Sequence, residues 1–190
     1  MRIIETLLRR TAMNILHAVR ESKITPDHFL ACIEIPMGTS AKYELDHETG
    51  ALALDRVLFT ATHYPQNYGF IPKTWGLDDD PLDVLVITSI PVVPLALVRA
   101  YPVGVLSMTD SGKVDEKIIA ICQDDPFYNE FKDIKDLPQH ILQEIRHFFT
   151  VYKQLEHGKE TVIEGIHGAE KAKDTILKGK KRYHEKFPER

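Results

Sequence analysis

Cysteine is scarce in this chain, and long apolar runs are absent. Two cysteines occur among 190 residues, Cys32 and Cys122, each inside an apolar stretch typical of a strand. Isolated cysteines of this kind favour buried thiols in a reducing compartment over a disulfide framework. No apolar run approaches the ~20 residues that a membrane span needs, and the charged first residues do not suit a secretory signal. We therefore expect a cytoplasmic protein without a membrane partner.

Positive charge is scarce outside the last part of the chain. Residues 168–190 carry eight Lys or Arg against four Asp or Glu, a charge of +4, so residues 1–167 sum to −8 for the net charge of −4. An acidic body argues against nucleic acid as a partner. The basic end has few aromatic residues and favours the solvated face of a helix.

Several well-known signatures of chemistry are also missing. None of the nine histidines has the H-E-x-x-H spacing of a zinc site, and no glycine-rich phosphate loop is present. The histidines are therefore assigned to the surface or the core. The length suits one domain, which we place at residues 13–190. Residues 1–12 are interpreted as an appended N-terminal extension.

Short strands dominate the middle of the chain. Stretches bounded by glycine, proline and polar turns predict strands at 29–35, 42–46, 51–59, 83–90, 97–108, 117–123 and 162–167. Many short strands without helical crossovers predict a closed or strongly curved antiparallel sheet. A helical apolar stripe runs from Pro138 to Gly158, and a second helix is predicted from about Ala169 to Tyr183. The pattern indicates a β-barrel core with helices laid against it.

Aspartates crowd the stretch "LDDDPLDVLV" at residues 77–86. Asp78, Asp80 and Asp83 have the spacing D-x-D-x-x-D, and a turn at Pro81 can gather their carboxylates. Oxygen ligands without histidine or cysteine suit Mg²⁺ or Mn²⁺ better than zinc. An EF-hand is excluded because the sixth position would be Asp83 instead of glycine, and the twelfth Ser89 instead of glutamate.

Further polar residues offer partners for such a metal site. Asp110 and Asp115 flank a Ser-Gly turn, which alone is typical of an acidic hairpin tip. Lys42 and Glu44 share one face of a predicted strand. Arg56 shares a face with leucines, so its guanidinium must find an anion, either a structural carboxylate or a phosphate. Together these are the parts for metal-assisted phosphoryl transfer.

The stretch "DDDPLDVLV" resembles the D-x-D-x-x-D signature of soluble family I inorganic pyrophosphatases. The blocks "IEIPMGTSAKYELD", "LDRVLFTATHYPQNYGFIP", "YPVGVLSMTDSGKVDEKIIA" and "HFFTVYKQLEHGK" are similar to that family's blocks and follow in its order. The resemblance covers about residues 14–180, and the length is similar to that of the bacterial type. It implies a fold of the α+β class that is mainly β, with a five-stranded OB-like barrel and flanking C-terminal helices.

The resemblance also implies roles for thirteen residues. Catalysis would fall to Asp80 as the base that deprotonates water, with Tyr68 beside it. Metal ligands would be Asp78, Asp83, Asp110, Asp115 and Glu34. Substrate would be bound by Lys42, Arg56, Tyr152, Lys153, Glu44, Lys117 and again Tyr68. Periodicity alone would place Tyr152 in the core.

The implied reaction is Mg²⁺-dependent hydrolysis of pyrophosphate to two phosphates, with Mn²⁺ as a substitute ion. A water held between two ions that share Asp83 would attack phosphorus in line, and a homohexamer is implied by the bacterial members. Two alternatives stay open. One is a metal-dependent phosphohydrolase acting on nucleoside di- or triphosphates, and the other is a non-catalytic OB-type module that binds oligonucleotides or divalent ions.

Overall fold

A computed structural model describes residues 14–47, 49–158 and 160–188. In these ranges three α-helices are found: α1 Ile15–Ala18, α2 Gln139–Val151 and α3 Ala169–Lys186. Single turns of 3-10 helix cover Glu21–Lys23 and Ile134–Asp136. The strands are β1 Phe29–Ile35, β2 Ala41–Leu45, β3 Leu52–Val57, β4 Asn67–Phe70, β5 Asp83–Ile87, β6 Leu97–Asp110, β7 Lys113–Cys122 and β8 Thr161–Gly168. The predicted extension at residues 1–12 lies outside the described residues.

Five strands close into a ring in the order β1-β4-β5-β7-β6, because β6 pairs back onto β1. The closing pairs join Phe29 to Ala100 and Cys32 to Leu97. Strand β8 pairs with residues 104–110 of β6, beyond the part of β6 that pairs with β1, while β2 and β3 form a separate two-stranded sheet. A closed ring leaves no sheet edge between its members. The predicted mainly β fold with flanking helices is confirmed.

Two details of the predicted sheet were wrong. Strand β4 was not predicted, and the sheet is not purely antiparallel, because β5 and β7 run parallel with Asp83 opposite Lys117. Strand β6 lies between β5 and β7 in the sequence, and a tight hairpin joins its end to the start of β7. Ser111 and Gly112 both have positive φ angles there, 51° and 85°, as a two-residue hairpin of the primed type requires. This turn places the ends of β6 and β7 side by side.

Each strand of the ring buries side chains on both faces. Val84 and Val86 of β5 pack with Ile176 of α3, while Leu85 and Ile87 pack with residues of α2. This alternation follows from the two-residue period of a strand. Helix α2 is shorter than predicted, and its apolar stripe is buried at Ile145, Phe148 and Phe149. Leu155, the last residue of the predicted stripe, lies beyond the helix and is exposed. Helix α3 begins where predicted and extends three residues further.

Both cysteines are free, with Cys32 buried and Cys122 half-buried. No helix within the described residues is both long and apolar enough to cross a membrane.

Candidate active site

A polar cavity of about 330 Å³ opens where β1, β4, β5, β6 and β7 approach the β2–β3 sheet and the end of α2. Twelve of the thirteen side chains singled out in the sequence line this cavity. They are Glu34, Lys42, Glu44, Tyr68, Asp78, Asp80, Asp83, Asp110, Asp115, Lys117, Tyr152 and Lys153. The fold therefore gathers groups that lie more than a hundred positions apart in the chain.

Strand register explains how the inner part of the cavity is built. Asp83 is the first residue of β5 and lies opposite Lys117 of the parallel strand β7. Tyr68 of β4 pairs with Leu85 of β5 on one side and with Ile35 of β1 on the other. Asp115 lies two residues before Lys117, so both side chains point to the same face of β7.

Lys117 is the centre of this group and is only 2% exposed. Its amine donates to Asp83 Oδ2 at 2.6 Å, to both carboxylate oxygens of Asp115 at 2.9 Å and to the hydroxyl of Tyr68 at 2.9 Å. Burial opposes the charge on Lys117, but Asp115 and Asp83 outweigh it and raise the pKa of the amine above its ordinary value. The hydroxyl of Tyr68 also donates to Asp83.

The carboxylates of the cavity carry more negative charge than this lysine neutralises. Burial, followed by repulsion from Asp83 and Asp115, raises the pKa of Asp78 to about 7. Burial, which outweighs a hydrogen bond from the backbone of Leu45, and repulsion from neighbouring acids raise the pKa of Glu34 to about 8. Burial is the largest cause of both shifts, and repulsion from neighbouring acids adds to it.

This donor set fits divalent cations. The groups are carboxylate oxygens, which Mg²⁺ and Mn²⁺ prefer, and their shared charge would be relieved by a cation. Among the described residues, no three such groups converge tightly on one point. The amine of Lys117 lies between Asp83 and Asp115, so it already supplies one positive charge there.

Basic groups line the other part of the cavity, and each is paired with an acid. Lys153 contacts Asp110, and this contact outweighs burial and lowers the pKa of the Asp110 carboxyl. Lys42 contacts Glu44 and lies 3.2 Å from Asp55 Oδ2. Tyr152 is 4% exposed, so it belongs both to the core and to the cavity wall. A polyanion entering here would meet ammonium and hydroxyl donors.

Arg56 is the one predicted residue that does not line the cavity. Its Nε donates to Glu156 Oε1 at 2.8 Å, and its Nη1 contacts Asp55. Structural carboxylates are therefore the anions that it finds in this structure. Its Nη2 is buried without a hydrogen-bond partner among the described residues. That atom leaves the guanidinium with unused donor capacity.

Sequence reasoning missed His47 and the shape of the aspartate loop, residues 76–80. His47 lines the cavity, and its Nε2 lies 3.1 Å from Asp80 Oδ1. The hydrogen bond that the protonated ring donates to Asp80 raises the pKa of His47 against the effect of burial. Within the loop, Gly76 N donates to Asp80 O at 2.6 Å. No local pattern marks His47 for this place, because it lies two residues after the end of β2 and reaches Asp80 only through the fold.

Known proteins resemble this chain over most of its length. The family model described as inorganic pyrophosphatase matches residues 31–184. A soluble inorganic pyrophosphatase of Chlamydomonas reinhardtii is 46% identical over 179 residues, which are 94% of this chain and 93% of that protein. An inorganic pyrophosphatase of Aquifex pyrophilus is 45% identical over 163 residues, 85% of this chain and 92% of the relative.

Solved structures agree with these relatives. The crystal structure of the inorganic pyrophosphatase from Thermus thermophilus has a TM-score of 0.86 and 38% identity, covering 90% of this chain and 99% of its own. That from Helicobacter pylori has a TM-score of 0.82 and 43% identity, covering 85% and 96%. Sequence and fold thus point to the same relatives over nearly their whole length, and this chain belongs to the inorganic pyrophosphatase family.

Proposed function

We propose that this protein is an Mg²⁺-dependent inorganic pyrophosphatase that hydrolyses pyrophosphate to two phosphates, with Mn²⁺ as a substitute ion. The observation that carries the proposal is the cavity of about 330 Å³. It combines an excess of carboxylates with ammonium and hydroxyl groups in a chain of this family. A phosphate anhydride with divalent ions would complement both kinds of group.

Five acids would hold the divalent ions. Asp78, Asp83 and Asp115 are assigned to the activating ions, and Asp110 and Glu34 to ions that accompany the substrate. Bound ions would lower the pKa of the attacking water and neutralise charge on the phosphoryl oxygens. Lys117 keeps Asp83 and Asp115 close together by donating to both.

Asp80 is assigned as the general base. Its carboxylate lines the cavity and is 57% exposed, so it can reach a water molecule there. The water oxygen attacks phosphorus, the bridging P–O bond breaks, and the proton passes to a carboxylate oxygen of Asp80. The leaving group is phosphate, and no covalent bond to the protein is formed. Tyr68 orients the neighbouring Asp83 through its hydroxyl.

The remaining residues are assigned to the substrate. Lys42, Tyr152 and Lys153 would donate to phosphoryl oxygens, with Glu44 and Lys117 as the polar wall around them. Lys153 would exchange its contact with Asp110 for a contact with phosphate. Arg56 would use its free Nη2 donor once its side chain turns toward the cavity. Neutralising charge on the leaving phosphate is the largest contribution that such groups make.

The proposed enzyme would act in the cytoplasm as a single domain over residues 13–190. We propose a homohexamer as its assembly, by analogy with the bacterial type that the sequence resembles. Pyrophosphate and phosphate are its proposed small-molecule ligands.

The test is phosphate release from pyrophosphate in Mg²⁺, in EDTA, and in EDTA with Mg²⁺ restored. We expect release that disappears with chelation and returns with the ion. Asp80→Asn should keep the fold and lower kcat about 100-fold or more, because the base is lost. Asp124→Asn is the matched control, since Asp124 is half exposed and pairs with Arg99 outside the cavity.

Full activity of Asp80→Asn would refute the assignment of the base while leaving the reaction intact. Wild-type protein that releases no phosphate in Mg²⁺ would refute the proposed reaction.

A further inference from the structure

The end of helix α3 lies against the segment that precedes the aspartate loop. Trp75 N donates to Gly179 O at 2.9 Å, and Arg182 Nε donates to Trp75 O at 2.7 Å. Both backbone polar groups of Trp75 are therefore bound by α3. A β carbon on Gly179 would lie 3.4 Å from side-chain atoms of Thr74 and Leu82, which is an ordinary packing distance. The helix backbone is therefore held at this segment by its hydrogen bonds with Trp75.

The side chain of Trp75 carries this contact into the aspartate loop. Its indole N–H donates to Asp79 Oδ1 at 3.1 Å. The amine of Lys186 lies 4.1 Å from the centre of the Trp75 ring and forms an ion pair with Asp79. Asp79 is thus bound by the tryptophan and by the last turn of α3. We name these contacts of Gly179, Arg182 and Lys186 with Trp75 and Asp79 the clasp.

Asp79 lies between two residues of the cavity, Asp78 and Asp80. Its backbone has a φ of 78°, a left-handed conformation that residues other than glycine seldom adopt. Surrounding contacts must hold a residue in such a conformation. The loop is also closed by the hydrogen bond from Gly76 N to Asp80 O. A movement of Asp79 would consequently move both neighbouring carboxylates.

We propose that Lys186 is a positioning residue for the aspartates that bind divalent ions, acting through Asp79 and Trp75. This inference rests on the proposed function. Lys186 itself does not line the cavity, so it would influence ion binding only through the shape of the loop and through its charge.

These two influences have opposite signs, which makes the inference testable. When a positive charge near the cavity is removed, the carboxylates of the cavity attract cations more strongly. Loss of the clasp lets the loop sample other shapes and weakens cation binding. Weaker binding after removal of Lys186 would therefore come from positioning and could not come from its charge.

The experiment compares Lys186→Met, Lys186→Arg and the control Lys181→Met. Methionine keeps an unbranched stem over Trp75, and arginine keeps the charge. Lys181 lies on the same helix, is 79% exposed and pairs only with Glu185 at 3.8 Å among the described residues. Mn²⁺ binding is measured by calorimetry without substrate. The Mg²⁺ concentration for half-maximal phosphate release and kcat in saturating Mg²⁺ are measured alongside.

We expect Lys186→Met to bind Mn²⁺ about two- to fivefold more weakly, the range for loss of one partly exposed ion pair. Its half-maximal Mg²⁺ concentration should rise in parallel, while kcat in saturating Mg²⁺ stays close to wild type. Lys186→Arg and Lys181→Met should both behave like wild type. A second comparison uses Asp79→Gly, since glycine suits the positive φ at this position. In that background Lys186→Met should cause no further weakening.

Suppose that the wild-type protein binds Mn²⁺ and hydrolyses pyrophosphate. Unchanged or tighter Mn²⁺ binding by Lys186→Met would then overturn the role of Lys186 and leave the proposed function intact. That role would also be overturned if Lys186→Met weakened Mn²⁺ binding equally in the wild-type background and in the Asp79→Gly background. Wild-type protein that neither binds Mn²⁺ nor releases phosphate would instead refute the proposed function, and this inference with it.

Discussion

Lys117 illustrates how one buried side chain holds an acidic cavity together. Its amine contacts Asp83, Asp115 and Tyr68 while almost no part of it is exposed. Removing one partner of a buried ion pair leaves the other charge uncompensated, which costs more than the pair contributes. In the proposed enzyme, divalent ions and the lysine would together neutralise the negative charge of these carboxylates.

We therefore expect Lys117→Met to lower the free energy of unfolding in EDTA by about 3 kcal/mol or more. Saturating Mg²⁺ should recover part of the loss, because cations that bind only the folded state stabilise it. Urea denaturation in the two media measures both effects. Lys178→Met is the control, since Lys178 is exposed and pairs with Asp174. An equal loss in EDTA and in Mg²⁺ would contradict the idea that bound ions and Lys117 neutralise the same carboxylates.

Individual side chains differed in how well the sequence predicted their positions. The aspartates at 78, 80 and 83 could be placed together because their spacing and the following apolar strand are local features. His47 could not, because its contact with Asp80 spans 33 positions and depends on how β2 approaches the ring. Arg56 was correctly expected to find an anion, but only the structure shows that Asp55 and Glu156 supply it here.

Strand β4 is one of the elements that sequence patterns failed to predict. It has only four residues, Asn67–Phe70, and contains a glycine, a residue depleted in strands. The structure explains the glycine, because a β carbon on Gly69 would lie 1.9 Å from the carbonyl oxygen of Cys32 in β1. The two strands approach each other so closely that no side chain fits between them.

Gly69→Ala should consequently lose about 3 kcal/mol or more of stability, or fail to fold, since the clash is with backbone that cannot turn away. Gly165→Ala in β8 is the matched control, because the nearest atom to its new β carbon is 3.4 Å away. Thermal unfolding of both variants measures the difference. Equal melting temperatures would contradict the close approach of β1 and β4.

Strand pairing was predicted less well than strand existence. The segments at 29–35, 83–90 and 97–108 begin where the structure begins them, because apolar runs and turn residues are visible in the sequence. The parallel pair of β5 and β7 was not visible, since it depends on the whole ring closing. The start of β7 at Lys113 was also missed, because four of its first five residues are charged.

Exposed apolar side chains bear on the proposed assembly. Ile90, Val93 and Phe127 are 63%, 71% and 76% exposed, and the two loops that carry them are joined by a hydrogen bond from Ser89 N to Asp125. Large exposed apolar side chains in one region often mark contacts between proteins. All three lie on loops, outside the helices and strands.

A homohexamer predicts a solution mass of about six times the chain mass of 21.7 kDa. Light scattering during size-exclusion chromatography measures this mass directly. Phe127→Ser should lower it if the loop contributes to the contact, and Leu177→Ser, which alters an exposed leucine of α3, serves as the comparison. A single-chain mass at micromolar concentration would contradict the proposed assembly.

The long span of chain that builds the cavity also has a consequence for biosynthesis. The cavity draws on residues from Glu34 to Lys153, and its aspartate loop is braced by α3, near the end of the chain. A chain still emerging from the ribosome would carry every aspartate of the loop before Tyr152 and Lys153 exist. The cavity would thus be assembled only after Lys153 has been made, and shorter chains would remain inert toward pyrophosphate.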